Sequence, residues 1–378
     1  MYWRFVLLMA LAFWTHTIGL ADGAEPVPQI VQPVPFQVVQ REGFDPLHAH
    51  EHEPGGAKLG YADVALQAEF PGLNDATAEF RVLPLKDAFG SGIEWTRLDA
   101  AIQGGKLAAT ARIPAGGWYR LEVRAMSGDK VLATAATEPL GVGEVFVIAG
   151  QSYAAGANDE LLKVDDPQGR VVAFNTIKSS WATAHDPQPN LGDGGTIWPP
   201  VGNHLLPLVR VPIGFVNVAV GGTSSRQWLP GEALYKNLAE AGKTTGSFRA
   251  VLWQQGESDV IEKTSTEKYA ENLTAIREGL AKEWGFDPPW LLAKSTLHPT
   301  VYNDPAGEGR IRDAIDLLCE KPHFLQGPDT DILAGENRGA LGTRRHFTGV
   351  GQRRAGLMWM VSLWEHLNHL QSTDRKRP

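Results

Sequence analysis

The chain has 378 residues and a formal net charge of −8, and 43% of its residues are hydrophobic while 21% are charged. This length exceeds the usual size of one domain and predicts two, and the composition is typical of a globular protein with a mildly acidic surface. The acidic balance argues against nucleic acid or an anionic membrane as the main partner. A single cysteine, Cys319, excludes an intramolecular disulfide bond.

The first 24 residues have the pattern of a secretory signal peptide. Arg4 supplies a positive charge, an apolar run at 5–14 follows, and Ala21 and Ala24 suit cleavage by a signal peptidase. The alternative is a retained membrane anchor, but the apolar run is too short to cross a bilayer. We therefore expect a secreted or periplasmic protein with no membrane span after cleavage.

Residues 25–140 are predicted to form a smaller, β-rich domain. Short segments of alternating polarity, such as 118–124, are separated by turns rich in proline and glycine, which is typical of an antiparallel β-sandwich. His48, His50 and His52 would lie on one side of an extended strand, an arrangement that suits a metal ion. Because proline and glycine flank these histidines, we favour a solvated loop and expect neither a metal nor a cofactor.

Residues 141–370 alternate apolar runs of strand length with amphipathic helical stretches. This pattern is typical of βα units and predicts a three-layer α/β/α fold around a parallel sheet. The predicted strands are 144–149, 213–220, 250–253, 290–293 and 323–326. The clearest helix runs from Tyr269 to Trp284, with Thr264 and Glu267 placed as a capping box. A last helix is predicted over 350–367, and a polar tail over 371–378.

Ser152 closely follows the first of these strands, within the sequence Gly150–Tyr153. Parallel sheets bind ligands at the carboxyl ends of their strands, so this position suits a nucleophile. The small Gly150 permits a sharp turn, and amides at the start of the next helix can donate to an oxyanion. The alternative is that Ser152 only caps that helix. A lipase-type Gly-x-Ser-x-Gly elbow is excluded, because Ala154 occupies the place of the last glycine.

Two further polar clusters also follow strands. Gly221 and Gly222 come after the second strand, where paired glycines let an amide approach a ligand, and Gly222 is a candidate oxyanion donor. A tight turn or a phosphate loop is the alternative, although the spacing and lysine of a P-loop are missing. Gln255 and Glu257 follow the third strand. Gln255 is a candidate for binding an oxyanion or substrate. Glu257 is a candidate for orienting a catalytic group or a substrate hydroxyl, unless both residues lie in a solvated acidic loop.

His346 stands just before the last predicted helix. Histidine is the side chain best suited to take a proton from serine near neutral pH. His346 is therefore the candidate base among the eleven histidines, and a surface histidine without a catalytic role is the alternative.

Four short blocks together resemble one known family. The blocks are Gly150–Ser152, Gly221–Thr223 with Trp228 downstream, Gln255–Asp259 and His346–Phe347, in this order. They are similar to those of the sialate O-acetylesterase branch of SGNH hydrolases, over roughly residues 140–370. The resemblance implies a flavodoxin-like fold behind a β-rich domain, with Ser152 as nucleophile and His346 as base. It also implies an oxyanion hole formed by the Ser152 amide, Gly222 and a side chain of the third block.

Two positions depart from the family pattern. Tyr153 follows the serine where the family usually has asparagine, and Thr343 stands where the family commonly has the acid of a triad. Either a backbone carbonyl orients His346 and the site is a dyad, or an acid arrives from elsewhere in the chain. The candidate acids are Asp331, which we place first, Glu336 and Glu257.

The resemblance implies an esterase that removes acetyl groups from a carbohydrate, such as sialic acid or xylan, without a cofactor. The missing acid at position 343 keeps open a carbohydrate-binding protein without turnover. A general serine esterase or lipase is the third hypothesis, although the sequence has no long apolar lid segment. Trp181, Trp198 and Trp228 follow predicted strands and are candidates either for stacking on sugar rings or for the core.

Overall fold

A computed structural model describes residues 27–46, 57–189, 192–299, 302–339 and 345–374, with side chains described up to residue 369. The predicted signal peptide at 1–24 lies outside the described residues, as do His48, His50 and His52. None of the helices within the described ranges combines the length and apolar character needed to cross a membrane.

Strands dominate the described residues up to Gly150, and strands alternate with helices afterwards. The strands are β1 (Gln29–Gln32), β2 (Val38–Gln40), β3 (Tyr61–Glu69), β4 (Ala76–Pro84), β5 (Ile93–Ile102), β6 (Lys106–Pro114), β7 (Gly117–Ser127), β8 (Lys130–Gly150), β9 (Val171–Asn175), β10 (Ser180–Thr183), β11 (Ile213–Asn217), β12 (Ala250–Gln254), β13 (Trp290–Lys294) and β14 (Phe324–Asp329). The helices are α1 (Ser152–Ala155), α2 (Trp198–Val209), α3 (Ala233–Thr245), α4 (Glu257–Ile261), α5 (Thr266–Trp284), α6 (Pro305–Cys319) and α7 (Gly349–Asp374).

Antiparallel pairing predominates in the N-terminal part, where β2 alone among the described strands pairs in parallel, with β8. β1, β3 and β6 form one sheet, while β5, β4, β7 and the first part of β8 pair in a second. In β3 the side chains of Val64 and Leu66 are buried while Asp63, Ala65 and Gln67 are exposed. This alternation follows from the two-residue period of a strand with one face on a core, and strands of both sheets contribute to the same core.

The strand β8 belongs to both parts of the molecule. Its first part pairs antiparallel with β7, while Glu144–Gly150 pairs in parallel with β11 and β12. The domain boundary predicted between residues 140 and 141 therefore lies inside one continuous strand of 21 residues. The sequence pattern changes there because the strand becomes buried on both faces, as strands of parallel sheets are, and not because the strand ends.

The C-terminal part is an α/β sheet with the strand order β10-β9-β11-β8-β12-β13-β14. All neighbours from β9 to β14 pair in parallel, but β10 pairs antiparallel with β9. The sheet is therefore mixed, which corrects the prediction of a parallel one. The reason is local, because only residues 176–179 separate β9 from β10, and a connection that short can only form a hairpin.

Helices cover both faces of this sheet. Phe146 and Ile148 of β8 belong to a hydrophobic cluster that includes Trp359 of α7. Val145 and Val147, which alternate with them, belong to a second cluster that includes Leu273 of α5. Successive side chains of one strand thus face opposite layers, which is the three-layer arrangement predicted from the sequence.

A buried cluster of charges lies at the amino end of the parallel part of β8. Glu144 Oε1 accepts from Arg41 Nε at 2.7 Å, and Oε2 accepts from Arg249 Nε at 2.7 Å. The side chains of Arg41 and Glu144 are fully buried. Burial alone would raise the pKa of Glu144, but attraction to Arg249 and Arg41 outweighs it and lowers the pKa to about 2. The cluster therefore ties the N-terminal segment to the central strand by paired charges.

Several local predictions need correction. The N-cap of α5 is Ser265, whose side chain accepts from the Lys268 amide, and not Thr264. The helix α7 continues to Asp374, so the first residues of the predicted polar tail are helical. The three tryptophans considered for sugar stacking are instead packed in the core: Trp181 against Phe174, Trp198 against Trp359 and Trp228 against Trp253.

Candidate active site

Ser152 begins α1 at the carboxyl end of β8, which lies between β11 and β12. Gly150 has a φ of 135°, and a Cβ at this position would lie 2.1 Å from the carbonyl oxygen of Gln254. Glycine is therefore required where β8 and β12 approach each other before the chain turns. Directly after the turn, the Gln151 amide donates to the same carbonyl at 2.9 Å. These contacts fix the backbone that carries Ser152.

Ser152 and His346 line the same pocket, which has a volume of about 650 Å³. The other described residues that line it are Ala155, Gly156, Ala157, Asn158, Asp159, Leu161, Gly192, Asp193, Gly194 and Gly221. The two residues lie 194 positions apart in the chain, so the fold brings together the candidate nucleophile and the candidate base.

The paired glycines after β11 also approach Ser152. A Cβ built on Gly221 would lie 3.6 Å from the Ser152 Cβ, which places the Gly221 backbone beside the nucleophile. Gly222 follows with a φ of 71° and open space around its Cα, as in a turn that favours glycine. Gly221 lines the pocket, while Gly222 is not among its lining residues. Donation by the Gly222 amide to an oxyanion thus stays a prediction.

Gln255 lies behind the pocket and does not line it. Its side chain is fully buried, and Nε2 donates to Gln151 Oε1 at 3.2 Å, to the Thr223 carbonyl at 3.0 Å and to Asp259 Oδ2 at 2.6 Å. Its Oε1 accepts from the Tyr269 hydroxyl at 3.0 Å. A direct bond from Gln255 to an oxyanion is therefore not supported, because its donors are already used. Gln255 instead joins the Ser152 turn to the glycine turn.

The segment that carries His346 is held by Asn158, a residue that the sequence patterns did not select. Asn158 Nδ2 donates to the Tyr153 carbonyl at 3.0 Å, and Asn158 Oδ1 accepts from the Phe347 amide at 3.2 Å. The Asp159 amide donates to the Phe347 carbonyl at 3.0 Å. One side chain thus connects the helix that starts at Ser152 to the residue after His346. The polar Asn158 gave no motif signal, because its role depends on a partner almost 190 positions away.

Tyr153, the departure from the family pattern, also contacts the segment that carries His346. Its ring lies edge-on to the His346 ring, with centroids 5.2 Å apart. Its hydroxyl donates to the Arg345 carbonyl and accepts from Arg338 Nη1. The Arg338 guanidinium lies 4.8 Å from the centroids of both the Tyr153 and Phe347 rings. A tyrosine at this position therefore fixes the histidine segment through contacts that an asparagine is too short to make.

The acids considered as partners for His346 are bonded elsewhere. Asp331 accepts from the Thr296 and Leu297 amides and from Arg312 Nη1, so it organises the segment after β13. Glu336 pairs with Arg354. Among the described residues, no hydrogen bond joins either carboxylate to His346, so the proposed role of Asp331 as triad acid is not supported. Thr343 lies outside the described residues.

Glu257 is fully buried beside β13 and does not line the pocket. Its Oε1 accepts from the Ser295 hydroxyl at 2.9 Å. Burial raises the pKa of Glu257 to about 8, so this carboxyl is largely protonated at neutral pH. A neutral carboxyl that does not contact His346 is not the acid of a triad.

The surroundings of His346 favour its neutral form. Burial lowers its pKa to about 4, and the positive charges of Arg345 and Arg338 and the nearby His298 act in the same direction. The pKa of His298 is likewise lowered to about 4, so His298 is neutral at neutral pH. His346 therefore stays unprotonated, and able to accept a proton, down to a lower pH than an ordinary histidine does.

If His346 is the base, kcat/KM should stay high as pH falls and decline only toward about pH 4, where His346 becomes protonated. Arg345→Gln removes one of the charges that oppose this protonation and should move the acidic limb to higher pH. A pH–rate profile of both proteins checks this. Arg97→Gln, a matched change at an exposed residue of β5 that does not line the pocket, should leave the limb in place, and an unmoved limb in the Arg345 variant contradicts the assignment.

Comparison with known proteins shows the family to which the chain belongs. The chain matches the family described as carbohydrate esterase, sialic acid-specific acetylesterase, over residues 142–360. A probable carbohydrate esterase of Arabidopsis thaliana is 28% identical over 168 residues. The match covers 38% of this chain and 64% of that protein. This chain thus spans less than two thirds of the length of that relative.

The fold has a solved counterpart in a carbohydrate acetylesterase from Xanthomonas citri, with a TM-score of 0.56 and 17% identity, over 89% of this chain and 74% of that one. A solved structure from Arabidopsis thaliana aligns with a TM-score of 0.47 and 20% identity, over 59% of this chain and 98% of that one.

The fold is thus shared with a solved carbohydrate acetylesterase. Because the family match covers more than half of the chain, the protein belongs to the family of sialic acid-specific acetylesterases. The resemblance predicted from the four sequence blocks is thereby confirmed.

Proposed function

We propose that this protein removes O-acetyl groups from a carbohydrate, with Ser152 as nucleophile and His346 as general base. The observation that carries the proposal is that both side chains line one pocket, at the carboxyl end of the central strand. The pocket volume of about 650 Å³ lies within the range that small-molecule sites commonly have.

In the proposed mechanism, His346 takes the proton of the Ser152 hydroxyl as Oγ attacks the carbonyl carbon of the acetyl ester. His346 Nε2 is buried and has no hydrogen-bond partner within the described ranges, so it has capacity to accept that proton. The sugar hydroxyl then leaves with the proton from His346. Water, deprotonated by His346, attacks the carbonyl carbon of the acetyl-serine. The bond to Ser152 Oγ then breaks, Oγ takes the proton back from His346, and acetate leaves, which restores the enzyme.

The tetrahedral oxyanion is proposed to bind to the amides of Ser152 and Gly222. Gln255 supports this hole indirectly, because its amide holds both the Gln151 side chain and the Thr223 carbonyl. The site is proposed to work as a dyad, with Tyr153, Asn158 and Arg338 positioning the histidine segment in place of a carboxylate. We further propose that residues 1–24 direct export, so that the enzyme acts outside the cytoplasm, and that residues 27–140 form a β-sandwich.

The decisive experiment combines labelling with turnover. The purified protein is incubated with an alkyl phosphonate ester that traps serine nucleophiles, and the modified peptide is identified by mass spectrometry. Acetate release is measured in parallel on acetylated xylan, on O-acetylated sialic acid and on a long-chain acyl ester. We expect a single adduct on Ser152 and turnover of acetylated sugar only.

The other outcomes discriminate among the alternatives. Glycan binding without acetate release or an adduct would establish a carbohydrate-binding protein that has lost turnover. Equal turnover of the long-chain ester would establish a general esterase. Either result overturns the proposal.

A further inference from the structure

Three cavities lie next to one another on the C-terminal part and share lining residues. The pocket with Ser152 shares Leu161 with a second cavity of about 610 Å³. The second cavity shares Asp165 and Asn203 with a third cavity of about 480 Å³, which is lined at its far side by Phe89 of the N-terminal part. The depressions therefore follow one another from the nucleophile to the N-terminal sheets.

One segment, residues 159–166, borders all three cavities. Its central side chains alternate: Leu161, Lys163 and Asp165 are exposed, while Leu162 and Val164 are buried. This is the two-residue period of extended backbone, so one row of side chains faces the second cavity along its length. Residues 159 and 160 form a bend, and the six residues 161–166 that follow span at most about 20 Å, which exceeds the size of a single sugar ring.

The segment is attached to the body of the protein by its backbone. Three of its amides donate to buried or partly buried side chains: Glu160 to Gln352 Oε1 at 2.9 Å, Leu162 to Asp186 Oδ2 at 3.0 Å and Asp165 to Asn203 Oδ1 at 2.9 Å. These bonds hold the exposed row in place before any ligand binds. A site formed in this way loses little conformational freedom on binding.

An exposed aromatic ring from the N-terminal part lines the third cavity. Phe89 is 44% exposed, and the Arg210 guanidinium lies 4.1 Å from its ring centroid. The tryptophans predicted to stack on sugars are buried, so Phe89 is an aromatic surface that remains available along this path. Together the cavities offer the charged groups of Lys163 and Asp165 beside the apolar Leu161 and Phe89. The Asn203 side chain supports the segment, because Nδ2 donates to Asp165 Oδ2 at 2.8 Å and to the Lys163 carbonyl at 3.1 Å.

We propose that these cavities form one groove that binds the glycan chain on which the acetyl esters are carried, so that the substrate is a polymer and not a free monosaccharide. Sugar units suit such a lining, because each one presents several hydroxyls together with an apolar ring face. The inference rests on the proposed function and adds that the N-terminal part, through Phe89, contributes to substrate binding.

The test compares one polymer with its own monomer. The polymer is acetylated xylan or O-acetylated polysialic acid, whichever the wild type deacetylates faster. The second substrate is the O-acetylated monosaccharide of the same sugar. Phe89→Ala is expected to lower the ratio of kcat/KM for polymer to kcat/KM for monosaccharide by about 3- to 10-fold, mainly through KM. Val131→Ala is the matched control, because Val131 is also 44% exposed in the N-terminal part but lines none of the three cavities.

The outcomes separate this inference from the proposed function. If the wild type releases acetate from the monosaccharide at least as well as from the polymer, or if Phe89→Ala leaves the ratio unchanged, the groove is refuted while the esterase stands. If the wild type releases no acetate from any of these substrates, the proposed function fails first, and the groove as a site for an esterase substrate fails with it.

Discussion

Replacing Ser152 with alanine is expected to lower kcat for acetate release by at least about 10³-fold, because the change removes the proposed nucleophile. His346→Ala should cost a similar factor, since the serine hydroxyl then has no base. The double variant should be little worse than either single variant, because residues that act in one step are not additive. Initial rates of acetate release, with the three variants at equal folded concentration, check this.

A matched serine provides the control. Ser258 has the same 9% exposed fraction as Ser152 and also lies in the first turn of a helix that follows a parallel strand, but it does not line the pocket. Ser258→Ala should retain most of the activity. If Ser152→Ala keeps wild-type turnover while Ser258→Ala loses it, the nucleophile has been assigned to the wrong strand end.

The buried Glu144 gives the largest expected effect on stability. Glu144→Gln leaves Arg41 and Arg249 without their shared carboxylate, and breaking a buried ion pair in this way typically costs about 3–5 kcal/mol. We expect the free energy of unfolding to fall by about that amount, measured by denaturant titration at neutral pH. Glu138→Gln, which breaks an exposed pair with Arg120, should cost less than about 1 kcal/mol.

The pH dependence of stability provides a second readout for Glu144. Its pKa is lowered from 4.5 to about 2 in the folded protein, so its contribution is present above about pH 4.5 and is lost as pH falls toward 2. The wild type should therefore lose stability over this acidic interval more steeply than Glu144→Gln does. Parallel slopes for the two proteins would show that the carboxylate is not held by its arginine partners.

The positions of the candidate site residues were accessible from sequence, because their signals are local. Gly150–Ser152 and Gly221–Gly222 each follow a buried apolar run, and strand ends meet at one edge of a parallel sheet. The period of α5 is equally local, since its buried positions repeat along a single helix. These features need no knowledge of distant contacts.

The predictions that failed depend on partners far away in the chain. Gln255 stands at a strand end, as expected, but Gln151 and Thr223 draw its amide away from the pocket. Asp331 is held by Arg312 and by amides after β13, none of which a linear pattern connects to it. The direction in which a side chain points is set by its tertiary neighbours, unlike its place at a strand end. The sequence therefore located these side chains without determining what they contact.

The long strand β8 has a consequence for engineering. Because the same 21 residues complete an antiparallel sheet at one end and lead into Ser152 at the other, any replacement of the N-terminal part must keep this strand intact. A graft from a relative would have to preserve the pleat of this strand, since a shift of one residue turns every following side chain to the opposite face. Such a shift would exchange the two hydrophobic layers beneath Ser152, so a fusion that replaces the N-terminal part would first change the position of Ser152.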